Sequence, residues 1–240
     1  MTRRRWIADR WTAATASLTG DQAAHLARVL RAEPGQIYDV VSNGFLHRAE
    51  ILSVSEAEVL FTLHEELESD AAPPLRLLLA VFKFDHMEWA IEKATELGVA
   101  RITPVLARRT EKHLAQSSVN RVARWRRIAL EASQQSRRTS VPTISDPIPL
   151  KLALEREQAP TRLLLSETEQ TLTLTAALQA ATSSQQETDT ALAIGPEGGW
   201  TPEEMSLFTQ HQWQPVTLGP RILRAETAAI AALAIASALL

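Results

Sequence analysis

Two short segments near the C-terminus carry residue types at spacings that suit ligand chemistry. The first is Ile194-Gly195-Pro196-Glu197-Gly198-Gly199-Trp200, and the second is Leu218-Gly219-Pro220-Arg221-Ile222-Leu223-Arg224-Ala225-Glu226-Thr227. The chain has only 8 glycines in 240 residues, below the usual share of about 7%, so their grouping at Gly195, Gly198, Gly199 and Gly219 is informative. Glycines let a backbone approach a ligand closely and offer it bare N–H and C=O groups. A tight turn with no ligand is the alternative. Neither the dinucleotide spacing G-x-G-x-x-G nor the phosphate loop G-x-x-x-x-G-K-[ST] is present. Pro196 also lacks the donor that a phosphate cradle would use, so the loop suits an adenine or ribose edge better than a pyrophosphate.

In the second segment, Arg221 and Arg224 stand at or just before the start of an alanine-rich helix. A cation there opposes the helix macrodipole by ~0.3–1 kcal/mol, so local stability does not account for it. Two arginines beside free helix N–H groups form a site for an anion or a carbonyl oxygen. Pairing of an arginine with Glu197 or Glu226 is the open alternative.

The elements that must hold these loops are legible around them. Thr201-Pro202-Glu203-Glu204 reads as a helix start, with Thr201 as N-cap, Pro202 in the first turn and Glu204 closing a capping box. Strands are expected at 75–82, 99–106, 162–165, 190–194 and 216–218. Helices are expected between them, at 85–97 (capped by Asp85 and stopped by Gly98), 122–136, 149–158 and 172–181. This alternation argues an α/β fold with a parallel sheet covered on both faces. In such sheets ligands bind outside the carboxyl ends of the strands, where both glycine segments fall.

The first seventy residues read differently. Strands are expected at 36–41, 45–54 and 59–63, with a turn at Asn43-Gly44, and one helix from Asp21 to Leu30 offers Ala24, Leu26, Val29 and Leu30 for burial. A small β-barrel-like module is expected, closed by a linker at Ser69-Asp70-Ala71-Ala72-Pro73-Pro74.

Composition narrows the chemistry. The chain has no cysteine, which excludes disulfides, thiolate nucleophiles and iron–sulfur clusters, and fits a reducing cytosol. The histidines (25, 47, 64, 86, 113 and 211) show no metal-ligand spacing, so no metal is expected. No export signal follows the basic N-terminus. The apolar tail from Ala228 to Leu240 is shorter than the ~20 residues that span a bilayer, so no membrane association is expected. Net charge is -3, yet arginines cluster at 3–5 and 10, at 108–109, and at 121, 124, 126, 127, 137 and 138. Separate basic clusters in an acidic chain suit either solvated helix faces or a polyanion partner.

The two C-terminal segments together resemble the ribosomal RNA small subunit methyltransferase E family of the SPOUT superfamily. Met87-Glu88-Trp89-Ala90-Ile91-Glu92-Lys93-Ala94-Thr95-Glu96-Leu97-Gly98-Val99 and the stretch from Arg124-Trp125 to Arg137-Arg138 are similar to that family's helices. Arg5-Trp6 and His25 to Arg31 are similar to its PUA-like module. The resemblance implies a PUA-like RNA-binding β-barrel domain over 1–70 and a SPOUT methyltransferase domain over 73–240, with a C-terminal trefoil knot. It also implies a cytoplasmic homodimer that methylates N3 of a uridine in 16S ribosomal RNA, free or in the small ribosomal subunit. S-adenosylmethionine would lie among three loops, carried over as Leu165, Ser166 and Glu167; Ile194, Gly195, Pro196, Gly198 and Gly199; and Leu218, Gly219 and Leu223. Arg5, Arg28, Arg31, Arg126, Arg127, Arg137 and Arg138 become candidate RNA contacts. One departure is Phe84, which stands where the family pattern has glycine.

Methyl transfer to N3 needs the N3 proton removed and the charge developing on uracil stabilised. Arg224 and Arg221 are the candidates for the charge, with Arg5 a further one. Glu197 or Glu226 would accept the proton or fix the arginines. The final helix, Ala225 to Leu240, is apolar enough to need a partner surface, with Ala228, Ala231, Ala232 and Ala236 allowing close approach. Rival readings are a methyltransferase acting on another RNA site or on a ribose oxygen, a non-catalytic RNA-binding protein, and a nucleotide-dependent oxidoreductase.

Overall fold

Alternating apolar and polar residues build an antiparallel sheet in the N-terminal part of the chain. In the computed structural model, which describes residues 4–69, 74–183 and 189–240, that sheet is formed by β1 (Trp6–Ile7), β2 (Arg10–Trp11), β3 (Thr15–Thr19), β4 (Ile37–Ser42), β5 (Phe45–Val54) and β6 (Glu58–Leu67). Its order is β1-β4-β5-β6-β3-β2. Only the β1–β4 pairing is parallel. The β4–β5 hairpin pairs Ser42 with Phe45, and Asn43 and Gly44 both take positive φ, 52° and 84°. These are the angles a two-residue hairpin turn of matching twist requires. Register shifts in β5–β6 between His47/Ala49 and Ile51/Ser53 help curl the sheet. Trp6, Leu18, Leu26, Val40, Ile51 and Phe61 fill its core.

The expected 21–30 helix is interrupted. Helix α1 (Gly20–Ala24) runs into a π-helical turn, His25–Val29, in which the Leu30 amide donates to the His25 carbonyl. The wider turn rotates the face: Ala23 and Leu26 are buried, whereas Val29 and Leu30 are exposed rather than in the core.

The rest of the chain alternates strand and helix. In order come β7 (Leu75–Ala80), α2 (Phe84–Glu96), β8 (Arg101–Leu106), α3 (Lys112–Ser117), α4 (Val122–Gln135), β9 (Thr143–Ile144), β10 (Ile148–Pro149), α5 (Leu150–Arg156), β11 (Thr161–Leu165), α6 (Leu174–Ser183), β12 (Thr190–Ile194), α7 (Pro202–Gln210), β13 (Gln214–Val216) and α8 (Ala225–Leu239). The sheet order is β10-β8-β7-β12-β11-β13, with β9 also beside β8, and every pairing is parallel. The strand at 75–80 is nearly all leucine and alanine and is buried along most of its length, as a strand covered on both faces must be. By internal contacts the chain forms two units, Met1–Ala72 with Ser133–Val141, and Pro73–Ala132 with Pro142–Leu240.

Two local expectations are corrected, and Phe84 is placed. Asp85 does not cap α2; Lys83 precedes the helix and Asp85 lies in its first turn, where a carboxylate still favours the macrodipole. Phe84 opens α2, its ring edge-on to Trp125 at 6.2 Å and its face under the Arg121 guanidinium at 4.7 Å. The last strand occupies 214–216 rather than 216–218, because Thr217 bonds elsewhere: its amide donates to Leu172 O and its carbonyl accepts from Leu174 N, both at 2.9 Å.

Helix α8 buries Ala225, Glu226, Ala229, Ala232, Leu233 and Ala236 by packing on α2, α6, β7 and β12. Its apolar character is therefore largely used within the chain. Ala232 and Ala236 are committed there and are not free for a partner helix.

Candidate functional site at the carboxyl edge of the parallel sheet

The sheet order fixes which loops are neighbours. Strand β12 lies between β7 and β11, and β13 lies outside β11. All run parallel, so the loops following β11, β12 and β13 emerge side by side at one edge. These are the three segments named from sequence.

The loop after β12 is a rigid turn. The Gly199 amide donates to Pro196 O at 2.8 Å, and Gly199 sits at φ +71°, where a side chain is strained. The capping box on α7 is formed: Thr201 Oγ1 accepts from Glu204 N, and Glu204 Oε2 accepts from Thr201 N at 2.9 Å. Glu204 is buried, and its other oxygen accepts from the Arg108 amide at 2.8 Å. One carboxylate thus ties the start of α7 to the loop after β8.

Each glycine of the turn faces a neighbour. A Cβ on Gly195 would lie 3.1 Å from Trp200 Nε1, one on Gly198 would lie 3.3 Å from Arg109 Cδ, and one on Gly199 would lie 3.0 Å from Glu167 Oε1. Arg109 Nη1 also donates to Gly198 O. Ile194 and Pro196 are buried, while Glu197 is exposed.

Beside it, the loop after β11 begins with half-buried Leu165 and Ser166; the Ser166 amide donates to Val216 O at 3.0 Å. Exposed Glu167 reaches toward Gly199. Further on, Glu169 Oε1 accepts from Thr171 N, Thr171 Oγ1 and Leu172 N. Those hydrogen bonds, the Thr171 hydroxyl foremost, hold its carboxyl down at about 2.

The loop after β13 turns at Gly219, φ +112°, whose amide donates to Thr217 Oγ1 at 3.1 Å. Leu218 and Leu223 are half-buried. Arg224 occupies the N-cap position of α8 in extended conformation, and its carbonyl accepts from Ala228 N at 2.8 Å. The side chains of Arg221 and Arg224 are exposed. Among the described residues neither forms an ion pair with Glu197 or Glu226. Glu226 is only 3% exposed. Its Oε1 stands 3.6 Å from His86 Nδ1, and its Oε2 has no hydrogen-bond partner. Arg221, Arg224 and Glu197 are open to solvent, and Glu226 is not.

The candidate RNA contacts are mostly engaged. Arg28 pairs with Glu56 and Arg127 with Glu131. Arg126 donates to Ile144 O at 3.0 Å and to Asp146 at 3.1 Å. Arg5 donates to Arg137 O. Arg31 is exposed and, like Arg137, has positive φ, 50° and 62°. Burial pushes the half-buried Arg138 guanidinium down to about 10. Among the described residues no three His, Asp or Glu side chains gather as a metal site, and no helix is long and apolar enough to cross a membrane.

Arg109, Trp200 and His86 belong to this edge of the sheet and were not singled out from sequence. Arg108-Arg109 reads there only as a charge cluster. Its position directly after a buried strand is the signal that would have marked it.

A family model described as an RNA methyltransferase domain matches residues 70–237. The chain is 38% identical over 231 residues to ribosomal RNA small subunit methyltransferase E from Synechocystis sp., an alignment covering 95% of this chain and 74% of that protein. It is similar in structure to ribosomal RNA small subunit methyltransferase E from Neisseria gonorrhoeae, solved bound to S-adenosyl methionine. That match has a TM-score of 0.82 and 28% identity, and covers 99% of this chain and 98% of the other. A Legionella pneumophila protein solved with bound SAM matches with a TM-score of 0.83 and 28% identity, over 99% of this chain and 98% of that one.

Proposed function

The chain belongs to the ribosomal RNA small subunit methyltransferase E family, and we propose that it transfers a methyl group from S-adenosylmethionine to N3 of a uridine in 16S ribosomal RNA. The observation that carries this reading is the grouping of the loops after β11, β12 and β13 at one sheet edge, with Arg221 and Arg224 exposed on the last of them.

The residues fit the cofactor. Gly195 and Gly199 let the turn pack against Trp200 and Glu167 without a side chain between, which leaves backbone groups of the turn to meet an adenosine. Leu165, Ile194, Pro196, Leu218 and Leu223 supply apolar walls, and Ser166 and Gly219 supply polar edges. The exposed Glu167 carboxylate suits a cationic ligand. When bound, S-adenosylmethionine supplies a methyl group on a positively charged sulfur.

The protein's own task is to orient the base and make loss of the N3 proton easier. Negative charge then develops on uracil O2, O4 and N3, and Arg224, with Arg221, stabilises it from the segment that opens α8. Glu197, exposed on the glycine turn, is the group that can accept the proton. Glu226, buried in the first turn of α8, is out of the base's reach.

The chain after β13 is hydrogen-bonded to the segment following β11, through Ser166–Val216, Thr217–Leu172 and Leu174–Thr217. It then returns as α8 onto α2 and β7, a path that supports a trefoil knot over 73–240. The curled sheet of residues 4–69 supports a PUA-like RNA-binding domain within 1–70. In this reading the chain works as a cytoplasmic homodimer on the small ribosomal subunit or its RNA. Mass spectrometry of 16S RNA from a deletion strain, with and without the gene restored, tests the assignment. Loss of one 3-methyluridine, recovered on restoration, is expected; unchanged RNA, or a lost ribose methyl, refutes it.

A further inference from the structure

Arg109 lies outside every loop named above as cofactor-binding, yet it holds the central one. Its backbone is fixed on both sides. The Arg108 amide is bound to buried Glu204 at 2.8 Å, and the Thr110 hydroxyl donates to Val81 O at 2.9 Å. Its guanidinium is fixed as well, by donation to Gly198 O. Between these anchors the aliphatic stem lies along Gly198, with Cδ, Cβ and Cγ at 3.3, 3.5 and 3.9 Å from the place a Cβ would occupy.

Gly198 differs in this from Gly199. Gly199 has a positive φ, so its backbone conformation alone favours glycine. Gly198 has none, so what it must accommodate is the arginine stem. A stem held at both ends cannot swing aside without giving up one of its bonds. The turn has likewise committed two of its carbonyls, Pro196 O to the Gly199 amide and Gly198 O to Arg109. Its remaining groups are thereby presented in one arrangement before any ligand arrives.

We propose that Arg109 is a positioning residue for the cofactor. It acts through Gly198, clamping the glycine turn in its binding conformation from the loop after β8, across β7 in the sheet order. The inference rests on the cofactor reading given above.

A double-mutant cycle tests it, read as S-adenosylmethionine affinity by calorimetry with thermal melting as the control for folding. Arg109 is exposed, so Arg109→Ala is expected to fold normally and to bind the cofactor about tenfold more weakly. Gly198→Ala is expected to weaken binding about tenfold in the parent chain, yet less than about twofold in the Arg109→Ala background, where only a Cβ remains at the site. In an Arg109→Lys background the stem persists, so the Gly198→Ala loss is expected to persist too. A Gly198→Ala loss of equal size in all three backgrounds overturns the clamp, as does normal affinity in Arg109→Ala. Either result would come from a parent chain that binds the cofactor. A parent chain that binds none overturns the cofactor reading, and the clamp with it.

Discussion

Glu226 and His86 face each other across the first turns of α8 and α2, with Glu226 Oε1 3.6 Å from His86 Nδ1. That is beyond hydrogen-bond range. Neither this nitrogen nor Glu226 Oε2 has a hydrogen-bond partner. The carboxyl group lies in the interior in the first turn of α8, where the macrodipole favours an acidic side chain. Because no hydrogen bond is lost with it, Glu226→Ala should act on stability by raising it about 1 kcal/mol, as an unpartnered buried oxygen is removed, with single-turnover methyl transfer by the folded protein within a few fold of the parent. Unchanged melting together with a hundredfold slower turnover would place Glu226 among the reacting groups instead.

Arg224 should show the opposite pattern. Its exposed side chain stands at the N-cap of α8 without an acidic partner among the described residues, so little stability depends on it. Arg224→Ala should keep its fold and most of its cofactor affinity, while losing on the order of 10²–10³ in single-turnover rate at saturating RNA. A near-normal rate, or a loss fully explained by cofactor affinity, contradicts the assignment.

Arg126 and Arg127 already have carboxylate partners, Asp146 and Glu131. RNA phosphates must displace these, though exposed pairs of this kind cost only about 0.2–1 kcal/mol to break. Removing both arginines should reduce the slope of log affinity against log salt by about two. Asp146→Asn with Glu131→Gln should strengthen binding at low salt. A slope that stays unchanged leaves these side chains as a solvated helix surface.

Glu169 gives the loop after β11 an acid dependence. Its carboxyl is held at about 2 in the folded chain, against an ordinary value of 4.5. A depressed carboxylate adds stability that is complete above the ordinary value and is lost as pH falls through the folded one. Order in this loop should accordingly decline between about pH 4.5 and 2, as followed by amide exchange at Thr171 and Leu172. Glu169→Gln should remove that dependence; if the variant loses protection over the same range, another group is responsible.

Much of the parallel sheet was legible because most of its strands are short apolar runs and one helix start, Thr201 to Glu204, carries its own signal. The glycine segments and the two arginines were legible for the same reason: local sequence sets their chemistry. What local sequence could not supply was pairing across the fold. Val29 and Leu30 fit a helical stripe on paper but point outward after a π turn that no spacing announces. Thr217 looks like a strand residue until its bonds to Leu172 and Leu174 draw it away from β13. Glu226 reads as accessible, because its burial depends on α2 and β7, distant in sequence. Arg109 follows a buried strand, but its partner cannot be read locally, since β7 lies between β8 and β12 and only the folded sheet brings Gly198 beneath its stem.

The position of β12 has a kinetic consequence. Leu75 in β7 pairs with Thr190, so the central strand of the parallel sheet stays unpaired along one edge until the chain has nearly all been made. Contacts so distant in sequence close slowly, and an open apolar edge invites pairing with other chains meanwhile. The partly synthesised polypeptide should be most prone to aggregate just before β12 emerges from the ribosome. A chaperone that shields that edge would raise the yield of folded protein without changing its final stability.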